Sequence, residues 1–115
     1  MADQDITPRV NHQCLPMYKN RTVRLVGKVL DQEPETDSER KNMTLLTSDN
    51  QNVIIHRERS NPKVESEFVE VIGNVEEDLS VSEVLCIQFG RGPFDMKLYD
   101  EFVQLSNGPF QQLFM

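Results

Sequence analysis

Residues 22–30 run Thr22-Val23-Arg24-Leu25-Val26-Gly27-Lys28-Val29-Leu30. Val23, Leu25 and Val29 fall on one side of an extended chain and Arg24 and Lys28 on the other. That period of two marks a half-buried β-strand. Gly27 interrupts the pattern in mid-strand, where it weakens a flat sheet but permits the bend or bulge that a closing barrel requires. Phe68-Val69-Glu70-Val71-Ile72-Gly73-Asn74-Val75 repeats the design, glycine included.

Around these two segments the chain alternates strands with turn chemistry. Residues 1–11 are polar and read as a flexible arm, and Leu15-Pro16-Met17-Tyr18 suits one helical turn with Pro in a first-turn position. Residues 31–42 are a loop by composition. Met43–Thr47 and Asn52–His56 form a hairpin across the turn Ser48–Gln51. Arg57–Glu67, containing Asn61-Pro62, is a connection or a short helix, and Val81–Phe89 is a fifth strand. Five short strands are too few for a sandwich of the usual size. They suit a small all-β barrel of the five-stranded oligonucleotide/oligosaccharide-binding kind; periodicity alone also fits an SH3-like barrel. The barrel is expected over residues 12–91.

After Gly92-Pro93 the period changes to that of a helix, which residues 92–107 carry to the stop signal Gly108-Pro109. Phe94, Leu98, Phe102 and Leu105 form one apolar stripe, and Met96, Tyr99 and Val103 form a neighbouring one. Together they cover roughly 200° of the helical wheel, about twice what a helix lying on one sheet needs. One stripe suits the chain's own barrel and the other a partner. The expected partner-binding set is therefore Phe94, Met96, Leu98, Tyr99, Phe102, Val103 and Leu105. Residues 108–115 are an apolar tail holding Phe110, Leu113, Phe114 and Met115.

Charge limits what the chain does alone. Its 115 residues make one domain. Twelve Lys/Arg against nineteen Asp/Glu give a net charge of −7, whereas phosphate binding runs on clustered cations. The long loop adds Asp31, Glu33, Glu35, Asp37 and Glu39 beside one flank of the groove such a barrel uses. The second and third strands contain no aromatic residue for a base to stack on. Only Arg57, Arg59 and Lys63 form a basic cluster, a candidate for weak DNA contact with a strand held by larger partners. Catalysis is not expected: His12 and His56 lie on different elements, His12-x-Cys14 lacks a second ligand pair, and Cys86 sits among apolar strand residues. No cofactor, no metal and no membrane span is expected. Two cysteines behind an acidic, polar N-terminus read as reduced and intracellular.

Taken in order, Val23–Lys28, Phe68–Gly73, Val84–Phe89 and Phe94–Val103 resemble the small subunit of eukaryotic replication protein A. The most specific piece is Phe94-Asp95-x-x-Leu98-Tyr99, and the Leu15-Pro16 turn and final Leu-Phe look closer to fungal members. The resemblance implies a nuclear, non-catalytic subunit. Its C-terminal helix would join helices of a large and a middle subunit in a three-helix bundle. The heterotrimer would coat single-stranded DNA in replication, repair and recombination. A subunit of a telomere-end complex built on the same plan, or a stand-alone nucleic-acid-binding module, are the alternatives.

Overall fold

The computed structural model describes residues 7–32, 40–90 and 95–107. Strand β1 (Arg9–Val10) leads into a 3₁₀ helix (His12–Tyr18). Strands β2 (Thr22–Gln32), β3 (Arg40–Thr47), β4 (Asn52–Glu58), β5 (Phe68–Val75) and β6 (Val81–Gln88) follow, then helix α1 (Met96–Ser106). β2 is the element around which the sheet closes. Its first half pairs antiparallel with β5, from Thr22↔Asn74 to Lys28↔Phe68, and its second half with β3, from Gly27↔Thr47 to Gln32↔Met43. β3 and β4 form the hairpin, β4 meets β6 in parallel at Ile55↔Val81 and His56↔Ser82, and β6 returns antiparallel to β5. The circuit β2-β3-β4-β6-β5-β2 is a closed five-stranded barrel of oligonucleotide/oligosaccharide-binding topology. Its interior is filled by Val23, Leu25, Met43, Leu45, Ile55, Val69, Val71, Val75 and Val81, all fully buried.

Both mid-strand glycines stand where backbones crowd. A Cβ on Gly27 would lie 2.9 Å from Leu45 Cβ, and one on Gly73 would lie 2.3 Å from the Ser82 carbonyl oxygen. The second contact is with main chain, which cannot swing aside. Gly73→Ala is therefore expected to cost about 3 kcal/mol by overpacking, read as a lower urea midpoint at unchanged slope. Gly27→Ala is expected to cost less, because its shortest contact is 2.9 Å and not 2.3 Å.

Four elements depart from the sequence expectations. Residues 9–11 are not part of a free arm: Arg9↔Arg24 and Val10↔Leu25 add β1 to the edge of β2, and Val10 is 0% exposed. Two residues are too short a segment for periodicity to register. The single turn at Leu15–Tyr18 is a longer 3₁₀ helix, capped by Asn11, whose Oδ1 accepts from Cys14 N. The loop assigned to 31–42 gives up both ends. Asp31 and Gln32 continue β2 past a bulge at Val29/Asp31, and Arg40–Asn42 begin β3; residues 33–39 lie outside the described set. Arg57 and Glu58 belong to β4 and not to the connection after it.

Candidate functional site

Asp95 immediately precedes helix α1, and its Oδ1 accepts a hydrogen bond from Leu98 N at 2.9 Å and so satisfies one of the free amides of the first turn. The helix is held to the barrel by polar ties as well as apolar ones. Asp100 Oδ1 accepts from Asn11 Nδ2 (2.9 Å) and from Ser48 Oγ in the β3–β4 turn (2.8 Å). At the other end Asn107 accepts from Tyr18 Oη (2.6 Å) and donates to the Arg9 carbonyl (2.8 Å). The 3₁₀ helix that receives these ties is itself fixed by Asp49, whose carboxylate accepts from His12 N and Gln13 N. Burial works to raise the Asp49 carboxyl pKa, but hydrogen bonds from Thr47, Gln13 and His12 outweigh it and hold it below its usual value.

The two stripes of α1 have different fates. Val103 is 0% exposed and belongs to the barrel's core cluster; Tyr99 packs against that cluster, and Met96 is half-buried. Burial and the nearby Glu70 raise the Tyr99 phenol pKa. Leu98, about 140° away from Val103 around the helix, is 62% exposed. Of the expected partner-binding set, Val103 is enclosed by the chain's own barrel and Tyr99 packs on it, while Leu98 is left exposed. Phe102 and Leu105 lie within α1, but their side chains, like the whole of Phe94, are outside the described set. Asp100 and Asn107 were not singled out by sequence. Nothing local distinguishes them from other polar helix residues, since their partners lie 52 to 98 positions away.

The basic cluster does not survive as a unit. Arg57 projects into the β4–β6 junction, where Nε meets Glu83 Oε1 at 2.7 Å and Nη2 meets Oε2 at 3.2 Å. Both side chains are 3% exposed, and Asn61 Nδ2 donates a third hydrogen bond to Glu83 Oε2. An arginine so held is a clamp across the barrel seam and is withdrawn from any DNA surface. Arg59 and Lys63 remain exposed in the β4–β5 connection. On the outer face of β3–β4 three successive rows, beyond the Arg40–Glu58 pair at the strand ends, are Asn42–His56, Thr44–Ile54 and Leu46–Asn52. His56 is engaged there by Asn42 Oδ1 (2.8 Å) and Ser80 Oγ (3.1 Å). Among the described residues this face carries no aromatic ring and no Lys or Arg at those positions. Cys86 packs against the core, and burial, with Glu83 adding to it, raises its thiol pKa to about 11, away from the thiolate a nucleophile needs.

Comparison with known proteins follows the same lines. The family model described as Replication factor A protein 3 matches residues 1–114. Replication factor A protein 3 of Schizosaccharomyces pombe is 32% identical over 101 residues, covering 88% of this chain and 88% of the relative. In the structure of U. maydis replication protein A bound to ssDNA, one chain superposes with a TM-score of 0.76 at 32% identity, covering 94% of each chain. A chain of the S. pombe Stn1-ten1 complex reaches a TM-score of 0.60 at 13% identity, over 87% of this chain and 90% of that one. At that identity the likeness shows the fold alone.

Proposed function

Because the chain belongs to the Replication factor A protein 3 family, we propose that it is the assembly subunit of a heterotrimer that coats single-stranded DNA in the nucleus during replication, repair and recombination. Helix α1 docks with helices of a large and a middle subunit in a three-helix bundle. The contact runs along Leu98 with Phe94, Phe102 and Leu105, and Met96 flanks it. The observation that carries this reading is the division of α1. One apolar stripe is spent on the barrel at Val103 and Tyr99, while Leu98 stands 62% exposed in mid-helix. A large apolar side chain in that position is suited to burial against a second helix, at very roughly 1.5–3 kcal/mol for each such residue before association costs.

The chain contributes little DNA affinity of its own and no catalysis. Net charge, the lack of Lys, Arg and aromatic residues in the Asn42–His56, Thr44–Ile54 and Leu46–Asn52 rows, and the loss of Arg57 to the seam all argue against an autonomous phosphate grip; Arg59 and Lys63 supply at most an auxiliary contact. His56 and Cys86 are committed to structure. The test is direct. The isolated chain and the reconstituted heterotrimer are titrated with a fluorescent single-stranded oligonucleotide across a salt series. Strong binding confined to the heterotrimer is expected. Submicromolar binding by the isolated chain with a steep salt slope would favour a stand-alone module instead. A telomere-complex role has weaker support, the likeness to the Stn1-ten1 chain being at 13% identity.

A further inference from the structure

Apolar contact alone does not fix how α1 sits. Val103 and Tyr99 are held to the barrel by burial, a force without direction, so a helix resting on them alone is free to roll about its axis. The polar ties remove that freedom. At about 100° per residue, Asp100 and Asn107 lie roughly 60° and 40° from Val103 on one flank, about 10 Å apart along the axis. Leu98 lies on the opposite flank. Asp100 is the hub of the ties. Its Oδ1 accepts from Asn11 Nδ2 at 2.9 Å and Ser48 Oγ at 2.8 Å, and its Oδ2 from Gln104 Nε2 at 2.7 Å. Asn11 is 1% exposed, and its Oδ1 is already spent on Cys14 N, so its Nδ2 has one direction in which to point. Ser48 is fixed relative to Asn11 as well, because the neighbouring Asp49 accepts from His12 N and Gln13 N. The 3₁₀ helix, the β3–β4 turn and α1 therefore close one circuit of hydrogen bonds through Asp100.

We propose that Asp100 is a positioning residue for assembly: anchored on Asn11 and Ser48, it sets the roll of α1 and so the direction in which Leu98 is presented to the partner helices. The proposal rests on the assembly reading given above. Hydrogen bonds tolerate only a narrow range of distance and angle, and those to a carboxylate are the stronger kind. Asn107, bonded to Tyr18 Oη and the Arg9 carbonyl, supplies the second fixed point that a roll axis needs. The geometry makes small rolls matter. Side chains stand about 5 Å from a helix axis, so a roll of about 30° carries Leu98 sideways by roughly 3 Å, which is enough to lift it out of a groove on a facing helix. A helix left free to roll has to be ordered on binding, and that ordering is subtracted from the affinity.

The test titrates four full-length chains onto the co-expressed pair of larger subunits. Asp100→Ala removes both acceptor oxygens and is expected to weaken association about tenfold relative to wild type. Asp100→Asn keeps one acceptor oxygen and is expected to stay within about threefold of wild type. Thr22→Ala removes a tie of similar length elsewhere on the barrel, Thr22 Oγ1 to Asn74 Oδ1 at 2.7 Å, and is expected to leave association unchanged. Amide hydrogen exchange in the isolated chain reads the anchor without partners. Asp100→Ala is expected to speed exchange in α1 severalfold while β2 and β5 keep wild-type rates. Unchanged exchange in α1 would overturn the proposal. So would an Asp100→Ala chain that associates like wild type, an Asp100→Asn chain as weak as Asp100→Ala, or a Thr22→Ala chain equally impaired. A wild-type chain that the larger subunits do not bind, with α1 exchange still faster in Asp100→Ala, would overturn the assembly reading and leave Asp100 an internal anchor.

Discussion

Glu83→Ala and Arg57→Ala are each expected to cost about 3–5 kcal/mol of folding stability, because each leaves one charge buried without its partner. That is a large share of the 5–15 kcal/mol typical of a folded domain. The position of the pair makes the loss global. β4 and β6 share only two backbone register pairs, Ile55↔Val81 and His56↔Ser82, and the ion pair lies immediately beyond them with Asn61 as a third member. Removing both charges together, as Arg57→Met with Glu83→Leu, is expected to cost far less than the sum of the single changes, since well-packed apolar groups avoid the desolvation penalty. Urea denaturation of the three variants at one pH measures this. Single variants each costing under about 1 kcal/mol would mean that the pair behaves as a solvated surface bridge.

The second large effect separates the two stripes of α1. Leu98→Asp is expected to leave the isolated chain as stable as before, within about 0.5 kcal/mol, because an exposed position loses little. In the assembly the same carboxylate would be driven into an apolar helix contact. The expected weakening is about a hundredfold or more, near 3 kcal/mol, the scale of a central interface residue. Val103→Asp is expected to behave in the opposite order: it places an unpaired charge in the core cluster and costs the isolated chain several kcal/mol before any partner is added. Co-purification and thermal melts of both variants give the comparison. Equal loss of folding in both would show that α1 has a single, wholly intramolecular role.

The barrel was legible because its signals are local. The period of two in β2 and β5, and a glycine in the middle of each, depend on neighbours a few residues apart, and the structure uses both glycines where strands crowd. The wheel of α1 was legible in the same way: it showed two stripes, but which of them meets the barrel is a tertiary fact, and Val103 and Tyr99 went to the barrel. Arg57 was misread because an arginine in a polar run looks solvated unless its partner is known, and Glu83 lies 26 residues away. Likewise, the β5–β6 register shift that makes Val84 the extra residue of a bulge has no signature in Val84–Phe89, yet that one residue reverses which side chains face water. The ties through Asn11, Asp100 and Asn107 are of this kind too, since each joins elements that are remote in sequence.

The central claim is that this chain works as one member of an assembly. Its most direct test is the native mass of the tagged chain, purified gently from its own cell. The account predicts a one-to-one-to-one complex with two larger chains, from which Leu98→Asp releases a folded 13.3 kDa monomer. A wild-type chain that elutes alone or as a self-oligomer would contradict it.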